Sequence, residues 1–209
     1  MANPPFNVDE VLYEKVKDDK RFNEYGMTKG TKGKGKDAKE KVSNANYLWI
    51  SYFATALNEK GRAALVMANS ASDAGSNDLL IRQNMIKKGI IKQMVTLPSN
   101  MFTSVTLPAT LWFFDKAKPK NQKDKILFID ARNIFTQVDR AHRKFSDEQI
   151  KNLGIITRLY DGDTKAFDDL LAEYEILKDK APLEVTEEDK KTKDYFQNQI
   201  NWLLERFPE

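Results

Sequence analysis

The sequence predicts an α/β fold: a mixed sheet with an antiparallel strand, followed by a helical tail. Three observations carry this. Short apolar runs alternate with stretches of helical periodicity between residues 44 and 130, which is the signature of a layered α/β core. Only Ser99 to Thr110 separates the second apolar run from the third, and that interval has no helical pattern. A parallel crossover does not fit there, so these two strands are expected to be antiparallel neighbours. Beyond residue 146 the apolar spacing is helical only.

The elements follow in order. Residues 8–25 read as mixed and partly helical. Residues 29–41 (KGTKGKGKDAKEK) are rich in Gly and Lys and read as a mobile loop. A helix is expected over 44–59, capped by Ser43 or Asn44, because Tyr47, Ile50, Ala54 and Leu57 recur at helical spacing, with Gly61 beyond its end. Ala63–Ala68 is a buried strand in pattern, and the loop from Asn69 to Ser76 follows its C-terminal end, where α/β sheets bind ligands. A second helix is expected from Ser76 or Asn77 to Lys88, with Leu79, Leu80, Met85 and Ile86 as its apolar face and Gly89 as its stop. Strands are expected at 91–97, 109–114 and 126–129, and helices at 146–160, 168–178 and 189–207. Trp49, Tyr52, Phe53, Trp112, Phe113 and Phe114 read as core. The expected division is 1–135 for the α/β part and 136–209 for the helical extension.

Composition excludes several chemistries. There is no cysteine, so disulfide frameworks, thiolate metal sites and thiol nucleophiles are out. The single histidine, His142, cannot build an imidazole metal site, and no metal site is expected. No apolar run is long enough to span a membrane, and the N-terminus has no secretion-signal pattern, so a soluble cytoplasmic protein without membrane contact is expected. Residues 42–160 carry 17 basic and 9 acidic side chains, whereas 161–209 carry 7 and 14. A basic middle suits phosphate contact. Lys32, Lys34 and Lys36 in the glycine-rich stretch, and Arg140, Arg143 and Lys144 further on, are the candidates for touching a nucleic-acid backbone. The acidic tail is expected to pack on its own domain, with docking of a partner subunit as the alternative.

The sharpest local feature is Asn3-Pro4-Pro5-Phe6. Two prolines fix φ and remove two donors, making a stiff corner. Asn3 brings a side-chain carbonyl oxygen, and Pro4 a main-chain carbonyl held extended by the proline after it. Two acceptors aimed at one small volume match the two N–H donors of an exocyclic amine, and Phe6 can stack on the ring that carries it. Such a corner is ordinarily fed by a strand, which is expected ahead of it.

Four blocks then resemble one family: Asn3-Pro4-Pro5-Phe6-Asn7; Gly61-Arg62-Ala63-Ala64-Leu65-Val66; Leu97-Pro98-Ser99-Asn100-Met101-Phe102; and Leu107-Pro108-Ala109-Thr110-Leu111-Trp112-Phe113-Phe114, with Ile126–Ala131 behind them. In order and spacing, over residues 2–160, they look like the amino-DNA methyltransferases, specifically the modification subunit of type I restriction–modification systems. The resemblance implies the C-terminal half of a Rossmann-like methyltransferase sheet and methylation of adenine N6 by S-adenosylmethionine. It implies DNA and the specificity and restriction subunits as partners. It also implies that Asn3 and Pro4 accept from the amino group of a flipped adenine, that Phe6 stacks on the base, and that Phe102 is a second aromatic beside it.

That family binds its cofactor through a glycine-containing loop upstream of the corner. Gly30–Gly35 is lysine-laden and follows no strand, so it does not replace that loop, and no cofactor-binding residue is expected here. The chain is therefore expected to be the target-adenine half, inactive alone, with an unpaired edge on the Ala63–Ala68 strand through which copies could dimerise. A protein-glutamine N5 methyltransferase uses a similar corner and is one alternative. A non-catalytic DNA- or partner-binding fragment is the other.

Overall fold

A computed structural model describes residues 1–9, 11–32, 39–102, 106–179 and 187–206. The chain forms two compact units, Met1–Ser146 and Asp147–Glu209. The division expected after residue 135 falls inside the first unit, because a short hairpin at 136–144 belongs there.

The first unit opens with two one-turn helices, α1 (Tyr13–Val16) and α2 (Lys20–Asn23). The lysine-rich stretch, expected to be a loop, is paired at its described ends. Its ends pair as antiparallel strands β1 (Gly30–Lys32) and β2 (Lys39–Lys41), with Thr31 opposite Glu40. A Lys29–Glu40 ion pair at 2.7 Å and the buried Val42 hold those ends in place. Helix α3 (Asn46–Ala56) is shorter than its pattern. Neither Ser43 nor Asn44 is its cap residue, but Asn44 Oδ1 accepts from the Asn46 N–H at 3.0 Å and serves one orphan donor.

A mixed sheet is the centre of this unit, as expected. Its strands are β3 (Arg62–Ala68), β4 (Ile91–Thr96), β5 (Ala109–Asp115) and β6 (Leu127–Asp130). The order is β3-β5-β4-β6, with β5 antiparallel to both neighbours and β6 parallel to β4. Strand alternation sends Leu65, Met67, Trp112 and Phe114 to one face, where Tyr47, Ile50, Ala54, Ile81 and Met85 cover them. Trp112 stacks on Phe114 at 6.2 Å and meets the Tyr47 ring edge-on at 6.3 Å. The other face shows Ala64, Val66, Leu111 and Phe113, all only half-buried.

Between β3 and β4 lie α4 (Ser70–Asp73) and α5 (Ser76–Lys87). Of the apolar face expected for α5, only Met85 is buried. Asp78, Ile81 and Met85 are buried, while Leu79, Leu80 and Ile86 are exposed. Gly75, not Ser76, is the cap residue, and Ser76 sits at φ 51°. Gly89 ends the helix at φ +67°, where an added Cβ would lie 2.9 Å from the Lys123 carbonyl oxygen. Strands β7 (Thr136–Gln137) and β8 (Arg143–Lys144) form the hairpin that the sequence did not reveal.

The second unit contains α6 (Asp147–Tyr160), α7 (Lys165–Asp179) and α8 (Glu187–Arg206), close to the expected helices. Ile155, Phe167 and Leu170 form its core, with Leu159, Tyr174 and Leu203 packed against them. Phe196 meets Tyr174 at 5.9 Å, so α8 packs back on α7.

Candidate functional site

The corner is anchored at both ends. On its upstream side Ala2 runs parallel to β3: its N–H donates to the Ala64 carbonyl and its own carbonyl accepts from Val66, each at 3.0 Å. Pro4 is buried, while Asn3 and Pro5 are exposed and Phe6 is half-buried. On its downstream side Asn7 adopts φ 53°, a region that Asn tolerates better than most residues. There the Asn7 N–H donates to Asn46 Oδ1 at 2.8 Å, and Asn46 Nδ2 donates to Asn7 Oδ1 at 2.7 Å. The Val8 carbonyl accepts from the Ala45 N–H at 2.9 Å. Among the described residues nothing hydrogen-bonds the Asn3 side chain or the Pro4 carbonyl. Both acceptors are held on a rigid frame and left unused.

A hollow of about 210 Å³ lies beside the corner, lined by Phe6, Asn7, Ala68, Asn69, Ser70, Leu107 and Pro108. It sits where β3 ends and β5 begins, the edge at which α/β sheets bind ligands. Its rim is braced from below. Thr110 Oγ1 donates to Asn69 Oδ1 at 2.8 Å. The Tyr47 hydroxyl donates to the Ala71 carbonyl at 2.7 Å, while Arg82 donates to the Tyr47 oxygen at 2.7 Å and to the Ala74 carbonyl at 3.1 Å. Burial pushes the Tyr47 phenol up to about 12, against the lowering pull of Arg82. A second hollow of about 310 Å³ flanks Asn3 along the half-buried sheet face and is lined by Met1, Ala2, Ala64, Leu65, Val66, Leu111 and Phe113.

The remaining expected site residues are less gathered. Phe102 is half-buried on the β4–β5 loop and is not among the residues lining either hollow. Lys32 falls in β1, with its backbone alone described, and Lys34 and Lys36 lie outside the described residues. Arg140 and Lys144 are exposed on the 136–144 hairpin. Arg143 is turned onto the protein. Its guanidinium lies 4.0 Å over the Phe135 ring and donates to Ser99 Oγ at 3.1 Å, while its main-chain N–H donates to the Asn100 carbonyl at 2.9 Å. The hairpin is thereby fastened to the loop that carries Phe102. His142 is half-buried against Asp139, its Nδ1 at 2.7 Å from Oδ2. Sequence reading missed Asn46 and Arg82, whose partners lie 39 and 35 positions away, and such distances leave no local signal.

S-adenosylmethionine carries a ribose diol, an ammonium and a carboxylate, so its site needs acceptors and donors of matching kind. The hollow flanking Asn3 is lined by apolar residues and offers no acidic or basic side chain. That hollow does not fit the cofactor's ammonium, carboxylate and diol. Among them, no group of three metal-ligating side chains converges, and no helix is long and apolar enough to cross a membrane.

A mixed α/β sheet with a proline-fixed corner and a hollow at its strand ends defines an α/β protein with an open site at the sheet edge. Comparison with known proteins narrows this. The profile of the N-6 DNA Methylase family matches residues 1–198, and the chain belongs to that family. It is 36% identical over 154 residues to the type I restriction enzyme MjaIX methylase subunit of Methanocaldococcus jannaschii, covering 73% of this chain and 26% of that protein. It is equally similar, 36% over 154 residues, to the HindI methylase subunit of Haemophilus influenzae, covering 73% of this chain and 31% of that one. The fold matches a type I restriction-modification methyltransferase subunit from Streptococcus thermophilus with a TM-score of 0.63 at 21% identity, over 75% of this chain and 30% of the other. The chain thus spans about a third or less of the length of these relatives.

Proposed function

We propose that this chain supplies the target-base half of a DNA adenine-N6 methyltransferase, the modification subunit of a type I restriction–modification system. One observation supports the reading: a proline-fixed corner leaves the Asn3 side-chain oxygen and the Pro4 carbonyl without a partner among the described residues, with Asn3 on the wall of the larger hollow and Phe6 on the wall of the smaller. The relatives that match over the same residues are named as methylase subunits of type I restriction enzymes.

The chemistry follows from the amine. Adenine N6 is a poor nucleophile because its lone pair is delocalised into the ring. Two acceptors on its two protons favour a pyramidal nitrogen and leave the lone pair aimed away from the ring. Phe6 stacks on the extruded base and offsets part of the cost of unstacking it. The effect is alignment and charge stabilisation in a fixed frame. The methyl donor of such a reaction is S-adenosylmethionine, and the hollow flanking Asn3 does not fit it. This chain's own part is to grip the base. Calorimetric titration of the chain with S-adenosylmethionine is expected to show no micromolar binding.

DNA is the substrate, with Lys32, Lys34, Lys36, Arg140 and Lys144 offered to its backbone. The specificity and restriction subunits are the protein partners, and the free edge of β3 is a further pairing surface. The test is binding of single-stranded oligonucleotides that carry adenine or purine, which lacks the 6-amino group, at one position. Wild type is expected to prefer adenine by roughly tenfold or more, since purine forfeits both hydrogen bonds, and Asn3→Ala to weaken the preference while the Pro4 carbonyl keeps part of it. Equal binding of both oligonucleotides by wild type would overturn the reading.

A further inference from the structure

We propose that Asn69 reads the ring of the bound base, its side-chain amide donating to one of the two ring nitrogens, N1 or N7, that flank the amino group. The proposal rests on the target-base reading and adds a specificity-determining residue to it.

Three observations converge on Asn69. It lines the same 210 Å³ hollow as Phe6, with Pro108 and Leu107 among the other walls. Its side-chain oxygen is committed, since Thr110 Oγ1 donates to Oδ1 at 2.8 Å and Thr110 is only 1% exposed. That bond fixes the plane and sense of the amide and leaves the NH₂ with both protons, and no acceptor takes either among the described residues. A buried strand hydroxyl thus orients two donors at a cavity wall.

The segment that carries Asn69 is also fixed. Its N–H donates to the Pro108 carbonyl at 3.4 Å, and the turn after it is held by Tyr47 and Arg82 through the Ala71 and Ala74 carbonyls. Preorganisation of this kind keeps the entropic cost of the added hydrogen bond low.

The chemistry is complementary to that of the corner. Asn3 and Pro4 present acceptors and so select an amine. An amide donor selects an unprotonated ring nitrogen next to it. Adenine offers both on one edge. Guanine has a carbonyl where the corner needs donors, so the corner rejects it, and Asn69 adds to that rejection where the nitrogen read is N1, which carries a proton in guanine. Without Asn69, the hollow would discriminate by the amine and by shape alone.

The test uses saturation-transfer NMR on the full chain with 9-methyladenine and its 1-deaza and 7-deaza analogues. Wild type is expected to bind one of the two analogues roughly tenfold more weakly than 9-methyladenine, the loss expected for one neutral hydrogen bond, and the affected analogue identifies the nitrogen. Asn69→Asp keeps an oxygen for Thr110 and exchanges the donors for a lone pair. This variant is expected to bind 9-methyladenine about as weakly as wild type binds the affected analogue and to treat all three ligands alike. Asn69→Ala, with its melting temperature measured alongside, serves as the second variant. If wild type binds all three equally, or Asn69→Asp still discriminates, Asn69 does not read the ring and the base site itself stands. If 9-methyladenine gives no signal, or gives the same signal in Phe6→Ala, the base site falls and the Asn69 proposal falls with it.

Discussion

Asn7 and Asn46 exchange two hydrogen bonds, main-chain N–H to Oδ1 at 2.8 Å and Nδ2 to Oδ1 at 2.7 Å, across 39 residues of chain. Asn46 is only 2% exposed and opens α3, so the corner is fastened directly to the first helix of the core. A side chain that both donates and accepts is needed there. Asn46→Leu strands the Asn7 N–H and is expected to cost about 1–3 kcal/mol in urea denaturation. The same variant is expected to lose the adenine-over-purine preference, because Phe6 and Asn7 line the hollow together. Full stability with the preference intact would show that the pair does not position the corner.

Tyr47 gives a pH signature. Its folded-state pKa is raised to about 12 from the ordinary 10 because the phenol is buried, so the folded protein holds that proton more tightly than the unfolded chain does. The corresponding stability is complete below pH 10 and is lost as pH rises from 10 through about 12. In the limit this amounts to about 2–3 kcal/mol. Tyr47→Phe removes the titration but also the bond to the Ala71 carbonyl, which costs about 1 kcal/mol at neutral pH. Wild type is therefore expected to be the more stable at pH 7, with the gap closing or reversing above pH 10.5 in thermal melts. A gap that stays constant from pH 7 to 12 would exclude the assignment.

Arg143 separates a brace from a phosphate contact. The side chain covers Phe135 and bonds Ser99, whereas Arg140 and Lys144 on the same hairpin are exposed. A residue that neutralises a phosphate lowers the salt dependence of DNA binding by about one unit of slope when removed. Arg140→Ala and Lys144→Ala are each expected to do so. Arg143→Ala is expected to leave the slope unchanged and to speed hydrogen exchange at Met101 and Phe102. Part of the protection remains, because the main-chain bond from Arg143 to Asn100 does not depend on the side chain. A reduced slope in Arg143→Ala would make it a DNA contact after all.

Legibility in the sequence followed the range of the forces involved. Strand alternation and helical spacing are local, and they located the sheet, α3 and the three tail helices within a few residues. The antiparallel placement of β5 beside β4 followed from the shortness of the segment between them. On α5 only Met85 of the expected apolar face is buried, because the helix turns Asp78 and Ile81 inward with it and Leu79, Leu80 and Ile86 outward. The proline corner was legible because its stiffness is intrinsic to its residues. What completes the site was not: the Asn7–Asn46 exchange, the Tyr47–Arg82 brace and the Arg143–Ser99 bond each join residues brought together only by the fold. The 136–144 hairpin was missed for a similar reason, since two-residue strands have no periodicity to read.

The free edge of β3 leads to a last expectation. Among the described residues its outer side pairs with Ala2 alone, while the inner side is fully laddered to β5 from Arg62 to Ala68. The adjoining face bears Ala64, Val66, Leu111 and Phe113, all half-buried and around the larger hollow. An apolar strand edge with one residue of cover is a template for another strand. The isolated chain is expected to self-associate there, giving a concentration-dependent mass in light scattering. Ala64→Lys places a charge on the edge without touching the helix-covered face, and is expected to yield a monomer with an unchanged melting temperature. A wild-type chain that stays monomeric at high concentration would exclude edge pairing, and a dimer that survives Ala64→Lys would move the contact to another surface.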